Sequence, residues 1–225
     1  MSKKRPMATE RKKSFQEMTV KEKIEHIWEY YKPAIFGIIA GVALIIYIIM
    51  KILYPDPDVI LGVTMVNSSP QASEEDKNIF EQYLSENGYN LEEETISVNE
   101  SLYLSADGKG QSDYASVQAL VAWNAVGEID ILTGDEYVFG LLGVNGGLLE
   151  MEDILTPEQM EQYADRLYTI QDSETGQEYV CALKLPEGNL LNKAGYYSGD
   201  VWMGIPSTSK RQELAIKIFH YLLGN

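Results

Sequence analysis

From Pro33 to Met50 the chain carries no charged residue, and the run Ala34-Ile-Phe-Gly-Ile-Ile-Ala-Gly-Val-Ala-Leu-Ile-Ile-Tyr-Ile-Ile-Met50 is apolar throughout. A surface helix of a globular domain interrupts such a run with a polar face. A bilayer core about 30 Å thick instead requires roughly 20 apolar residues at about 1.5 Å each. Lys51, whose ammonium can reach back to the interface, and Ile52-Leu-Tyr54 complete that length. Tyr30, Tyr31, Tyr47 and Tyr54 place aromatic rings near its two ends. The expectation is one transmembrane helix over residues 33–54.

The charges on either side have opposite signs. Residues 1–32 hold nine Lys/Arg against five Glu, whereas residues 52–225 hold eight Lys/Arg against 29 acids. A cleaved signal peptide would also begin with a basic segment. It would not need a 32-residue leader, and Lys51-Ile-Leu-Tyr-Pro-Asp-Pro lacks the small-x-small cleavage pattern. An uncleaved signal anchor follows, single-pass in the cell membrane, with the N-terminus cytoplasmic and the C-terminal domain extracellular. The acidic domain repels phosphate backbones, which argues against nucleic acid as a partner. One cysteine, Cys181, precludes an internal disulfide. A disulfide-free outer domain fits a Gram-positive surface.

Before the anchor, Thr19-Val-Lys-Glu22 has the pattern of a capping box, and Ile24, Ile27, Trp28 and Tyr31 share one helical face. Two readings stand side by side: a short amphipathic helix along the inner membrane surface, or an extension of the membrane helix. Gly37 and Gly41 form a GxxxG spacing through which two anchors could dimerise. The residues up to about Gln16 are expected to be a disordered cytoplasmic tail.

After the linker at residues 55–58, strand and helix patterns alternate over residues 59–225. Val59–Val66 is a nearly continuous apolar strand. Residues 73–87 form a helix that buries Ile79, Phe80, Tyr83 and Leu84 and ends at Gly88. Thr95–Val98 is a strand. A helix over residues 112–126 turns Tyr114, Val117, Leu120, Val121 and Ala125 inward and ends at Gly127. Strands follow at 128–132, 178–185 and 200–205, and a final helix opens near Ser209. The order predicts an α/β domain with a mainly parallel sheet flanked by helices.

Two stretches resemble a family. Val126-Gly-Glu-Ile-Asp-Ile-Leu-Thr-Gly-Asp135 with Gly146–Leu155, and Val201-Trp-Met-Gly-Ile-Pro206 with the helix to Leu223, are similar to segments of extracellular solute-binding proteins of the type 2 periplasmic-binding fold. The chain departs from that family in two ways. Only about two dozen residues separate Asp153 from Glu178, where a second lobe would be inserted, and a helix replaces the lipid-accepting cysteine. The resemblance therefore implies a single lobe on a membrane anchor: a non-catalytic module for a small polar ligand or a partner protein. An assembly component that has lost ligand binding is the alternative, and a cell-surface hydrolase comes third.

In a parallel sheet the ligand crevice lies beyond the carboxyl ends of the strands. Asn67, Ser68 and Ser69 follow the first strand, and Thr133, Gly134 and Asp135 follow the third, as candidate ligand-binding residues. Their alternative is capping of turns and helices. Tyr196 and Tyr197 are candidates for stacking on a sugar or a cation, or for loop packing. No catalytic residue, metal site or cofactor is expected. Lys109 stands where a calcium loop at Asp107–Asp113 would need an oxygen ligand, Cys181 has the pattern of a core residue, and His220 shares the solvent stripe of Lys210, Glu213 and Lys217.

Overall fold

The computed structural model describes residues 19–68, 79–105 and 111–224. The basic tail, the start of the helix expected from Ser73 and the turn expected at 107–110 lie outside the described residues. The chain divides into two units, Met1–Asp56 and Pro57–Asn225.

The first unit is dominated by helix α1 (Val20–Leu53), which runs uninterrupted through Pro33. The segment before the apolar run is continuous with it. Residues Lys32–Leu53 are long and apolar enough to cross a membrane. Lys51 pairs with Asp56 just past the end of α1, and Lys32 lies 5.6 Å from the ring centroid of Trp28.

The second unit is a six-stranded sheet between helices. In chain order its elements are β1 (Asp58–Val66), α2 (Ile79–Glu86), β2 (Glu94–Leu102), α3 (Gln111–Val126), β3 (Ile131–Gly134), α4 (Glu136–Gly143), α5 (Pro157–Gln162), β4 (Leu167–Gln171), β5 (Glu178–Lys184), α6 (Leu190–Lys193), β6 (Trp202–Gly204) and α7 (Gln212–Leu223). The sheet order is β2-β1-β3-β6-β5-β4. Parallel pairing joins β1 to β2, with Leu61 opposite Ile96, and β1 to β3, with Val63 opposite Ile131. Beyond β3 the pairing is antiparallel, from β3 to β6, β6 to β5 and β5 to β4.

A sheet parallel on one side only is what the connections allow. The helix-bearing crossovers through α2 and α3 are long enough to return the chain to the start of a parallel strand. β4 and β5 are instead joined by a tight turn in which Asp172 accepts from the backbone N–H of Glu174 at 2.9 Å and of Thr175 at 2.6 Å. The short interval between Asp153 and Glu178 is therefore used for α5 and for β4, an outer strand that the sequence patterns did not indicate.

Burial on both faces explains the apolar run of β1. Leu61, Val63 and Met65 pack with Phe80 and Leu84 of α2 and with Ile218, Phe219 and Leu222 of α7. Val66 joins the opposite layer with Leu120 of α3, Leu132, Phe139 of α4 and Cys181. Gly88 at φ +80° and Gly127 at φ +69° close α2 and α3, where a side chain would be strained.

The expected inward face of α3 is rolled. Leu120 is buried and Val117 half-buried, but Tyr114 is 70% exposed, Val121 50%, and Ala125 is also exposed. Polar partners cause the roll. Asp113 accepts from the backbone N–H of Ser105 at 3.0 Å and from its hydroxyl, Ser116 accepts from the N–H of Tyr103 at 3.3 Å, and Asn124 accepts from the hydroxyl of Thr208 at 2.9 Å. Asp113 and Ser116 thus face inward with Leu120, while Tyr114, Val121 and Ala125 face out.

Other expectations shift too. The third strand begins at Ile131, because Glu128–Asp130 bend around β1: the Asp130 N–H donates to Gly62 O at 2.8 Å. In β5 an extra residue intervenes between the pairs Val180–Thr169 and Ala182–Tyr168. Cys181 is consequently buried against α4 while Leu183 lies in the other layer. His220 is half-buried, with Nε2 3.0 Å from Ile154 O, and not on a solvent stripe.

Candidate functional site

The strand order reverses its growth at β1. β2 is laid down on one side of it and β3 on the other, so their carboxyl ends open a switch point of the kind where α/β sheets bind ligands. Asn67 and Ser68 leave β1 there. Thr133 and Gly134 are the last residues of β3, and Asp135 is the N-cap of α4, accepting from the Val138 N–H at 3.2 Å.

These side chains meet one another. Asn67 adopts φ +58°, a left-handed conformation that Asn tolerates. Its amide donates to Leu104 O at 2.8 Å and to Asp135 Oδ2 at 2.9 Å, and its oxygen accepts from the Leu104 N–H at 2.7 Å. Tyr197 comes from the loop before β6. Its hydroxyl donates to Val66 O at 3.0 Å and lies 2.9 Å from Thr133 Oγ1, which donates to it. Burial raises the Tyr197 phenol above its ordinary pKa, so it remains a neutral donor. A Cβ on Gly134 would come within 3.2 Å of Val138 and 3.3 Å of Val66, so the small residue keeps the end of β3 tightly packed.

The site residues expected from sequence therefore largely converge, and their polar groups are used on each other. Asn67 with Asp135, and Thr133 with Tyr197, form two neighbouring hydrogen-bonded pairs, joined along the chain through Gly134, that fasten the ends of β1 and β3 to the loop after β2 and the loop before β6. Ser68 is 2% exposed, and its hydroxyl is the buried side-chain polar atom without a hydrogen-bond partner among the described residues. Tyr196 is 2% exposed in the core beside Leu191 and Ala194, so neither of its ring faces is open for stacking. Ser69 lies outside the described residues.

Sequence reasoning passed over the residues beside Tyr197. A hollow of about 370 Å³ lies beyond the carboxyl end of β5, with Glu187, Asn189, Ser198 and Asp200 in its lining. Asn192 shapes it by donating to Tyr197 O and Gly199 O, both at 3.0 Å. The Pro186-Glu-Gly-Asn189 turn would have marked this place had the direction of β5 been known.

At the opposite end of the sheet, Asp130 is fully buried. It accepts from the Gly62 N–H at 2.7 Å, from Ser209 Oγ at 2.7 Å and from Arg211 Nη1 at 2.9 Å. The two aspartates of the third strand region are thus both structural acceptors: Asp130 ties β1 to the start of α7, and Asp135 caps α4. In comparisons with known proteins the chain matches no family model, no curated protein and no solved structure.

Proposed function

We propose that this chain is a single-pass membrane protein whose acidic C-terminal domain is a non-catalytic binding module on the outer face, built as one lobe similar to the solute-binding fold. The observation that carries the reading is the switch point: the order β2-β1-β3 converges Asn67, Thr133, Asp135 and Tyr197 at the carboxyl end of the sheet. The use of residues 154–178 for α5 and β4 supports a single lobe. The charge excess before the helix supports the orientation. A small polar ligand is the first expectation for the module.

A second reading is favoured by one feature of that cluster. Its donors and acceptors satisfy one another, which supports an assembly component in which the crevice has become a structural clasp.

The orientation has a direct test. Cys181 is buried, so a cysteine introduced at exposed Glu174, on the β4–β5 turn, is the accessible thiol of the outer domain. In intact cells the Glu174→Cys variant is expected to react with a membrane-impermeant maleimide, whereas the parent chain does not. Labelling only after lysis overturns the outer location.

A further inference from the structure

A further concavity is bordered by several hydrogen-bonding groups that have no partner among the described residues. It is a groove of about 500 Å³ on the α3 side of the sheet, between α3 and the edge strand β2, within the roughly 300–1,000 Å³ of small-molecule sites. Its floor is Gly62 and Thr64 of β1, one wall is Ser97 and Asn99 of β2, and the other is Trp123 of α3. A Cβ on Gly62 would lie 2.2 Å from Glu128 O, so glycine there lets the Glu128 backbone pack directly against β1 beside the groove.

Thr64 is 4% exposed, lines the groove, and makes no side-chain hydrogen bond within the described residues. The same holds for the hydroxyl of Ser97 and the indole N–H of Trp123. The Asn99 oxygen is taken by Ser101, whose N–H and hydroxyl donate to it at 2.9 and 2.7 Å. Its NH₂ group has no partner among the described residues. Two hydroxyls, an amide NH₂ and an indole N–H therefore border one cavity, beside an aromatic surface.

The charged groups at the rim cancel. Lys210 donates to Val126 O at 2.7 Å, and Arg211 is bound to Asp130 and to Val59 O. Glu128 supplies the opposing carboxylate. No net charge selects an anion or a cation. Groups that both donate and accept, set beside an indole, suit hydroxyls with C–H faces between them.

We propose that this groove is a ligand site separate from the carboxyl-end crevice, and that it takes a neutral, hydroxyl-rich molecule of monosaccharide size. The proposal rests on the binding-module reading above and adds a site to it. Thr64 and Ser97 hydrogen-bond the ligand hydroxyls, Asn99 donates to a ring or carbonyl oxygen, and Trp123 covers one face.

The test is binding to the full chain in detergent, measured by saturation-transfer NMR and by calorimetry. Glucose, galactose and N-acetylglucosamine are the neutral probes, and acetate, phosphate and choline are the charged ones. At least one neutral sugar is expected to bind saturably. Its affinity should fall tenfold or more in Thr64→Val, which replaces the hydroxyl with a methyl group of similar size, and several-fold in Ser97→Ala, an exposed strand position where folding is not at risk. Glu174→Ala, on the exposed β4–β5 turn away from the groove, should leave affinity unchanged. Sugar binding that survives both groove substitutions overturns the groove and leaves the binding module standing. Binding of charged probes alone overturns the ligand class, and no saturable binding by any probe overturns the proposal together with the small-ligand reading.

Discussion

At the scale of single residues, Asp130 shows how far a carboxylate can be from chemistry while looking suited to it. It has no exposed surface and three donors, one of them the half-exposed guanidinium of Arg211. Removing one partner of a buried pair leaves the others unpaired, which costs more than the pair contributes. Asp130→Asn is therefore expected to lower stability by about 2–4 kcal/mol, read as a shift in the urea midpoint of the full chain. A loss under about 0.5 kcal/mol would show that its three bonds are not structural. The sequence placed Asp130 inside the strand expected over 128–132, whereas β3 begins one residue after it. The sequence could not indicate the partners, because Gly62 and Ser209 lie 68 and 79 residues away.

Elements carry the next lesson, and α3 is the clearest case. It is uncharged from Tyr114 to Val126, so its apolar residues do not by themselves select one face. The roll is decided by Asp113, Ser116 and Asn124, which find partners on the loops after β2 and before α7. Asp113→Ala should cost about 1–2 kcal/mol, whereas Val121→Gln on the outward face should change stability by less than about 0.5 kcal/mol. Thermal unfolding of the two variants decides it. The reverse ranking would restore the face expected from the hydrophobic pattern. The same dependence on distant partners moved the start of β3 and placed the bulge at Cys181, since in both places β1 or β4 sets the register. By contrast, β1 was legible because burial on both faces leaves an unbroken apolar run, and α2 because Phe80, Tyr83 and Leu84 keep helical spacing.

Over the whole molecule, Cys181 reports on cooperative unfolding, being the chain's single thiol and lying in the layer between the sheet and α4. Burial pushes this thiol from 9.0 up to about 12, so the folded state holds its proton more tightly than the unfolded chain does. That contribution is fully present below pH 9.0 and is lost as pH rises toward about 12. Tyr179 adds to the loss between 10.0 and about 12, burial being the main cause there as well. The urea midpoint is expected to fall progressively above pH 9, with thiol-reagent labelling following unfolding. A midpoint that is level up to pH 11 would contradict this. The sequence alone determined the helix of membrane-spanning length, the reversal of charge across it, the α/β composition of the domain and the meeting of the β1 and β3 ends, because each follows from local pattern or chain order. Tertiary structure alone decided that the sheet turns antiparallel after β3, that the crevice residues hydrogen-bond one another, and that Thr64, Ser97, Asn99 and Trp123 border one groove with groups to spare. The physical reason is common to all three: whether a polar group is used or open depends on strand register and helix roll, and these are set by partners many residues away.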